Sequence, residues 1–206
     1  MTLLALIRHA PTTWNAEGRL QGRRDTAISP EGEAALAGWK APAALAPFDW
    51  VASPLGRCMR TARALVGRPV RADARLIEMD WGEWEGRTRA ELTATLGTDF
   101  AENETRGLDF TPPAGESPRM VQRRLEPFLA EIAASGRPTV AVTHRGVIRA
   151  AVALATGWDF LGKPPVKGVH GTYNLLRLDA DGRPTAVALD APLDQEPALT
   201  PAPGAA

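Results

Sequence analysis

The chain carries 206 residues, with 24 Lys plus Arg balancing 24 Asp plus Glu, three histidines and one cysteine. This length fits one domain with a sizeable core, domains running to roughly 100–200 residues, and the neutral balance leaves no electrostatic footprint for nucleic acid or an acidic membrane surface. Cys58 has no partner for an internal disulfide, the N-terminus lacks the layout of a secretory signal, and no apolar run approaches the ~18–20 residues that span a bilayer, so a cytoplasmic chain with a small-molecule partner is expected.

Residues 2–7 read as an apolar strand that stops abruptly on Arg8-His9-Ala10. Ser29 followed by Pro30 is an N-cap with proline at the first helical position, opening an Ala-rich helix to about Trp39. Residues 49–53 read as a second strand, after which Pro54-Leu55-Gly56-Arg57 opens a helix running to Val66. Thr88-Arg89-Ala90-Glu91 has capping-box spacing ahead of a short helix ending near Gly97. The stretch from there to Gly115 lacks periodicity, which predicts a lid-like insertion over about 87–116. Ser117-Pro118 repeats the cap signal for a helix over 118–135, with Val121, Leu125, Phe128, Leu129 and Ile132 at helical spacing and Gly136 as its stop. Residues 138–142 form another apolar strand, running into Thr143-His144-Arg145-Gly146. Residues 172–178 and 184–189, joined through Asp181-Gly182, read as a hairpin, and the Pro- and Ala-rich 191–206 as a mobile tail. Strands alternating with helices give an α/β domain over 1–190, with no repeat and no second boundary.

Two of the three histidines, His9 and His144, thus fall at the ends of apolar strands, where open α/β sheets bind ligands. Each has the alternative of satisfying a loop hydrogen bond; the flanking Arg8 and Arg145 favour an anion site. Arg57 stands at a strand-to-helix junction on the same helical face as Thr61, where helix amides and a guanidinium make an anion cradle. A solvated surface role fits Arg60 and Arg63 better. In the run from Glu78 to Gly86, carboxylates alternate with tryptophan and glycine, and Glu78 is the first carboxylate after an apolar pair. A carboxyl partly removed from water keeps its proton to higher pH, as a general acid near neutrality requires. The alternative is a turn held by Glu–backbone bonds.

Taken in order, Arg8-His9-Ala10, Asn15, the Ser-Pro-Leu-x-Arg-x-x-x-Thr-Ala of Ser53 to Ala62, the Glu-x-x-x-Gly-x-x-Glu-Gly of Glu78 to Gly86, and the late His144 resemble the histidine phosphatase superfamily, also called phosphoglycerate mutase-like, over nearly the whole chain. The resemblance implies a three-layer α/β/α sandwich with a mostly parallel central sheet. It also implies a metal-independent phosphomonoester hydrolase that works through a phosphohistidine on a small phosphorylated metabolite. His9 would be the nucleophile, its other ring nitrogen on a carbonyl of the N-terminal loop, and Glu78 the proton donor and acceptor. A protonated His144, with Arg8 and Arg57, would hold the phosphoryl oxygens, and Asn15, Gln21, Gly22, Arg145 and Gly146 would join them as phosphate or substrate ligands. Two departures stand out: Ala10, followed by Pro11, replaces the family's usual glycine, and Arg145 stands where many members carry glycine, adding a charge that suits a multiply anionic substrate.

No cofactor is implied, and no histidine or carboxylate spacing suits a metal. Cys58 lacks the arginine six residues on that a cysteine phosphatase needs, position 64 being alanine, and reads as a core residue. The alternatives are a cofactor-dependent phosphoglycerate mutase, with Arg87 and Arg89 as its lid pair, and a non-catalytic phosphate-ligand binding protein. Arg19, Arg23 and Arg24 read as a second-anion site or as a solvated basic loop. Trp14, Trp81 and Trp84 read as ring-stacking or as packing residues, and His170 as a structural hydrogen-bonder.

Overall fold

The computed structural model describes residues 1–199. In chain order these form β1 (Thr2–Arg8), α1 (Thr13–Ala16), α2 (Pro30–Gly38), β2 (Asp49–Ala52), α3 (Gly56–Val66), β3 (Arg71–Ala72), α4 (Arg89–Leu96), α5 (Thr98–Glu104), α6 (Pro118–Ser135), β4 (Thr139–Thr143), α7 (Arg145–Thr156), β5 (Thr172–Leu178) and β6 (Pro184–Pro192). The six strands make one sheet in the order β3-β2-β4-β1-β5-β6. β1 is parallel to β4, β4 to β2 and β2 to β3, whereas β5 is antiparallel to both β1 and β6. All strands but β5 therefore run the same way, in a mixed but mostly parallel sheet.

β1 explains why the sheet is sandwiched. Leu4 and Leu6 pack with Val121, Leu125, Phe128 and Leu129 of α6 and with Val147, Ile148 and Ala151 of α7. Ala5 and Ile7, pointing the other way, pack with Cys58 and Ala62 of α3 and with Trp50, Val140 and Tyr173. A strand covered on both faces reads as a continuous apolar run, not as an alternating one. The helix starts follow their caps. Ser29 Oγ accepts from Gly32 N at 3.0 Å and Ser117 Oγ from Met120 N at 3.2 Å. Thr88 and Glu91 make the reciprocal pair at 3.2 and 2.7 Å, each such cap contributing about 1 kcal/mol.

The lid-like insertion, read as lacking periodicity beyond Gly97, contains α5 and a one-turn helix at Gly107–Asp109. Of α5 only Phe100 is buried, so no apolar stripe marks it, and Gly97 with φ 53° breaks the chain between it and α4. Trp84, Leu92 and Phe100 form a small core of their own there, flanked by Leu20, Trp81 and Phe110. The expected mobile tail starts too early. β6 runs to Pro192, Leu193 is buried, and the Glu196 carboxylate accepts from Ala43 N and Ala44 N at 2.7 and 3.0 Å. One apolar anchor and one carboxylate cap outweigh the poor average composition; the rest of the predicted tail, 200–206, lies outside the described residues.

Candidate active site

Register brings the site together. In the β1–β4 pair Arg8 faces Thr143, and His9 N donates to Thr143 O at 3.0 Å; in the β2–β4 pair Ser53 N donates to Val142 O at 2.9 Å. Three parallel strands thus end level, delivering His9, His144 and Ser53 to one edge. Because β5 runs the other way, its leading loop reaches the same edge and carries His170.

His9 is 3% exposed. Its Nδ1 lies 2.7 Å from the Ala10 carbonyl, and since a carbonyl only accepts, Nδ1 bears the proton and Nε2 the free lone pair. Desolvation, then the Arg8 and Arg57 charges, push its pKa well below the usual 6.5, so the ring is neutral. Ala10 N donates to Thr61 Oγ1 at 2.9 Å, and that hydroxyl donates to Arg57 O at 2.7 Å. Thr61 therefore braces the loop after the histidine. Ala10 takes no left-handed φ, so glycine is not required there.

His144 is fully buried, its ring centroid 5.2 Å from that of His9. Its Nε2 lies 2.7 Å from Ser53 Oγ and 3.3 Å from Cys58 Sγ. Burial, then the neighbouring His9, Arg57 and Arg8, push its pKa well below 6.5. The protein groups thus favour a neutral His144 and not the cation that the resemblance implies; an anion beside it acts in the opposite direction. Cys58 is a core residue whose thiol pKa is pushed up by burial.

Arg8 donates through Nη1 to Gly168 O at 2.9 Å. Arg57 donates through Nη1 to Arg24 O at 2.7 Å and through Nη2 to Gly22 O at 2.8 Å. The expected amide cradle at the start of α3 is already taken, because Asp25 accepts from Gly56 N and Arg57 N at 2.5 and 3.4 Å. Among the described residues, the buried side-chain atoms without any partner are Nε of Arg8, Arg57 and Arg149 and Nδ2 of Asn174. Buried donors left unpaired need an explanation. The three arginines line one cavity, where an anion would offset their charge.

That cavity, of about 660 Å³, also takes in His9, Asn15, Gln21, Gly22, Glu78, Arg145, Gly146 and His170. Glu78 is 8% exposed; Oε1 accepts from Met79 N at 2.8 Å and Oε2 from Gly146 N at 3.3 Å. The backbone bonds expected of Glu78 are present, and its side chain also lines the cavity. Gly146 is needed for this closeness: a Cβ there would stand 2.5 Å from Glu78 Oε1. Asn15 accepts from Thr12 N at 3.0 Å and Gln21 from Thr26 Oγ1 at 2.9 Å, so each is oriented by a neighbour.

The basic loop is neutralised internally. Arg19 pairs with Glu17 at 2.6 Å, Arg23 with Asp80 and Glu116 at 3.3 and 3.1 Å, and Arg24 with Glu85 at 3.5 Å. In the lid, Arg89 pairs with Glu104 and Arg87 donates to Thr95 Oγ1 at 2.7 Å. Trp84 is buried against Phe100, whereas half-buried Trp81 joins Phe100 and Phe110 on the apolar wall of the cavity. Sequence reasoning missed Arg149, whose signal was its spacing one turn after Arg145, and the placement of His170, which follows no strand and so gave none. No three His, Cys, Asp or Glu side chains converge as a metal site, and no helix is long and apolar enough to cross a membrane, among the described residues.

The model of the histidine phosphatase superfamily (branch 1) matches residues 4–190. A glucosyl-3-phosphoglycerate phosphatase of Mycolicibacterium vanbaalenii is 36% identical over 203 residues, covering 90% of this chain and 89% of the relative. A 2,3-bisphosphoglycerate-dependent phosphoglycerate mutase of Azorhizobium caulinodans is 33% identical over 192 residues, covering 87% and 93%. The solved mycobacterial glucosyl-3-phosphoglycerate phosphatase superposes with a TM-score of 0.76 at 29% identity, over 93% of this chain and all of the other, and it has also been solved with VO3 and with inorganic phosphate. The chain belongs to the histidine phosphatase superfamily, branch 1.

Proposed function

We propose that His9 Nε2 attacks the phosphorus of a small phosphomonoester in line, forming a P–N bond as the P–O bond to the alcohol breaks. Glu78 gives its proton to the departing oxygen, then takes one from the water that cleaves the phosphohistidine, so that phosphate leaves and His9 is restored. Arg8 and Arg57 stabilise the charge that spreads over the equatorial oxygens. The observation that carries this reading is the neutral His9, its tautomer fixed by the Ala10 carbonyl, standing beside the unpaired Nε–H groups of Arg8 and Arg57. The phosphate and VO3 complexes of the mycobacterial relative support a phosphoryl group as ligand. The cavity size supports a metabolite, and a glycerate-type ester is the class that the relatives' names suggest. A single buried thiol fits a cytoplasmic setting.

The second reading is a mutase, favoured by the mutases among the relatives. Against it, Arg87 and Arg89 already have partners within the lid, Thr95 Oγ1 and the Glu104 carboxylate. A pure binding protein has no use for an oriented nucleophile and carboxylate in one cavity. The test is hydrolysis of p-nitrophenyl phosphate in EDTA, with trapping of an acid-labile phosphoenzyme. Turnover lost in His9→Ala is expected; turnover that survives the substitution sinks the mechanism, and phosphoryl transfer only after 2,3-bisphosphoglycerate priming selects the mutase.

A further inference from the structure

We propose that Arg145 and Arg149 of α7 form a second anion subsite in this cavity, which takes the non-reacting carboxylate or second phosphate of a substrate whose phosphomonoester sits at His9. The proposal rests on the hydrolase reading and names its substrate class.

α7 begins directly after His144, and Arg149 lies one turn beyond Arg145, so the two side chains share a face, and both line the cavity with His9 and Glu78. Like charges at this spacing cost stability. Neither has a carboxylate within ion-pair distance among the described residues, whereas Arg19, Arg23, Arg24 and Arg89 all do. The Nε–H of Arg149 is buried with no partner. Burial, then the Arg145 charge, push its pKa down to about 10, with Asp190 and Glu78 offsetting part of the effect. The fold thus holds a cation in a place unfavourable to it, a cost that a bound anion removes.

Arg145, although exposed, is held in place. Its Nε donates to Lys167 O at 3.1 Å, and its stem lies on Gly168, where an added Cβ would come within 3.2 Å of Arg145 Cγ. The Asp190 carboxylate pins that loop, accepting from Lys167 N and Gly168 N at 2.6 and 3.0 Å. Asp190 itself sits at φ 49°, a strained backbone for a non-glycine residue, and donates through its N to Asn174 Oδ1 at 2.9 Å. Guanidinium forks match carboxylate and phosphate alike, while a neutral hydroxymethyl group at the same place leaves the pair unanswered.

The experiment compares kcat/KM for 3-phosphoglycerate with that for glycerol 3-phosphate, which differ in carboxylate against alcohol. A second comparison sets propane-1,3-diol bisphosphate against its monophosphate. The wild type should prefer the member that carries the second anionic group, in at least one pair, by about 10- to 100-fold, the scale of charge-assisted hydrogen bonds. Preference in the first pair assigns a carboxylate, and in the second alone a phosphate. In Arg145→Gln and Arg149→Gln the ratio should fall toward one; Arg149→Lys, which keeps charge but not the fork, guards against a misfolded variant and should lose part of it. A ratio near one for both pairs in the wild type, or an unchanged preference in every variant, overturns the subsite. Kd values for the same four ligands on His9→Ala separate the two ideas: a preference in binding without hydrolysis by the wild type sinks the hydrolase alone, and hydrolysis without preference sinks the subsite alone.

Discussion

The Nδ1–H of His170 donates to the backbone carbonyl of His9 at 2.7 Å, while the Nδ1–H of His9 donates to the next carbonyl, that of Ala10, at 2.7 Å. The candidate nucleophile is held both at its ring and at its peptide. On the proposed mechanism, His170→Ala should lower kcat by about 10- to 100-fold through misplacement, with KM changed far less. His170→Asn, whose amide can donate to the same carbonyl, should restore part of the rate. Steady-state kinetics on p-nitrophenyl phosphate decide it; a change in KM alone refutes the positioning role.

Burial pushes His9 and His144 well below their usual 6.5 and His170 down to about 4. Between folded and unfolded values the unfolded chain binds protons that the native state does not, so stability rises with pH there. The contribution is complete above about 6.5 and is lost as pH falls toward the folded values. Urea unfolding across this window should show the decline, and His170→Asn should flatten it, its share being on the order of 2 kcal/mol after allowing for partial exposure. A slope unaltered by the substitution excludes this source.

Arg57 spends its Nη groups on the carbonyls of Gly22 and Arg24 and leaves its buried Nε–H unpaired. Arg57→Ala should reduce kcat/KM by about 10²- to 10³-fold, the cost of losing one oxyanion donor. Arg57→Lys should recover little, because a point charge cannot hold two loop carbonyls and a phosphoryl oxygen at once. Full rescue by lysine would show that charge alone matters.

Glu78→Gln tests the proton donor. Its loss should slow alkyl phosphates by about 10²- to 10⁴-fold and p-nitrophenyl phosphate much less, since nitrophenolate leaves without a proton. Equal slowing of the two would remove Glu78 from that role.

Gly146→Ala would put a Cβ 2.5 Å from Glu78 Oε1 and displace the carboxylate without touching its chemistry. A displacement of about 1 Å costs roughly 10²-fold in rate, so the variant should resemble a weakened Glu78→Gln, with the same bias against alkyl esters. Wild-type selectivity between leaving groups would show that Glu78 tolerates the shift.

The strands and capped helices were legible because their signals are local: Ser29-Pro30, Thr88 with Glu91 and Ser117-Pro118 each announce a helix that begins where they say. His9, Arg57, Glu78 and His144 were legible through motifs at strand ends, and register brings them together. What stayed hidden depends on long-range pairing. β3 is two residues long and α5 buries one side chain, so neither has a period to read. That Asp25 occupies the amides of α3, that Glu196 caps a turn at Ala43, and that His170 reaches His9 all follow from contacts 31 to 161 residues apart in sequence.

The hairpin of β5 and β6 has a consequence for the making of the enzyme. Arg8 rests on Gly168 O, His9 on His170, and the loop between β4's neighbour helix and β5 is fastened by Asp190. A growing polypeptide that has emerged only through α7 already owns both strand-end histidines and Glu78, yet lacks the Gly168 carbonyl that holds Arg8 and the His170 ring that holds the His9 peptide. Competence should therefore arrive late and abruptly during synthesis, and shortened translation products would carry the signature residues without becoming stray, unselective hydrolases.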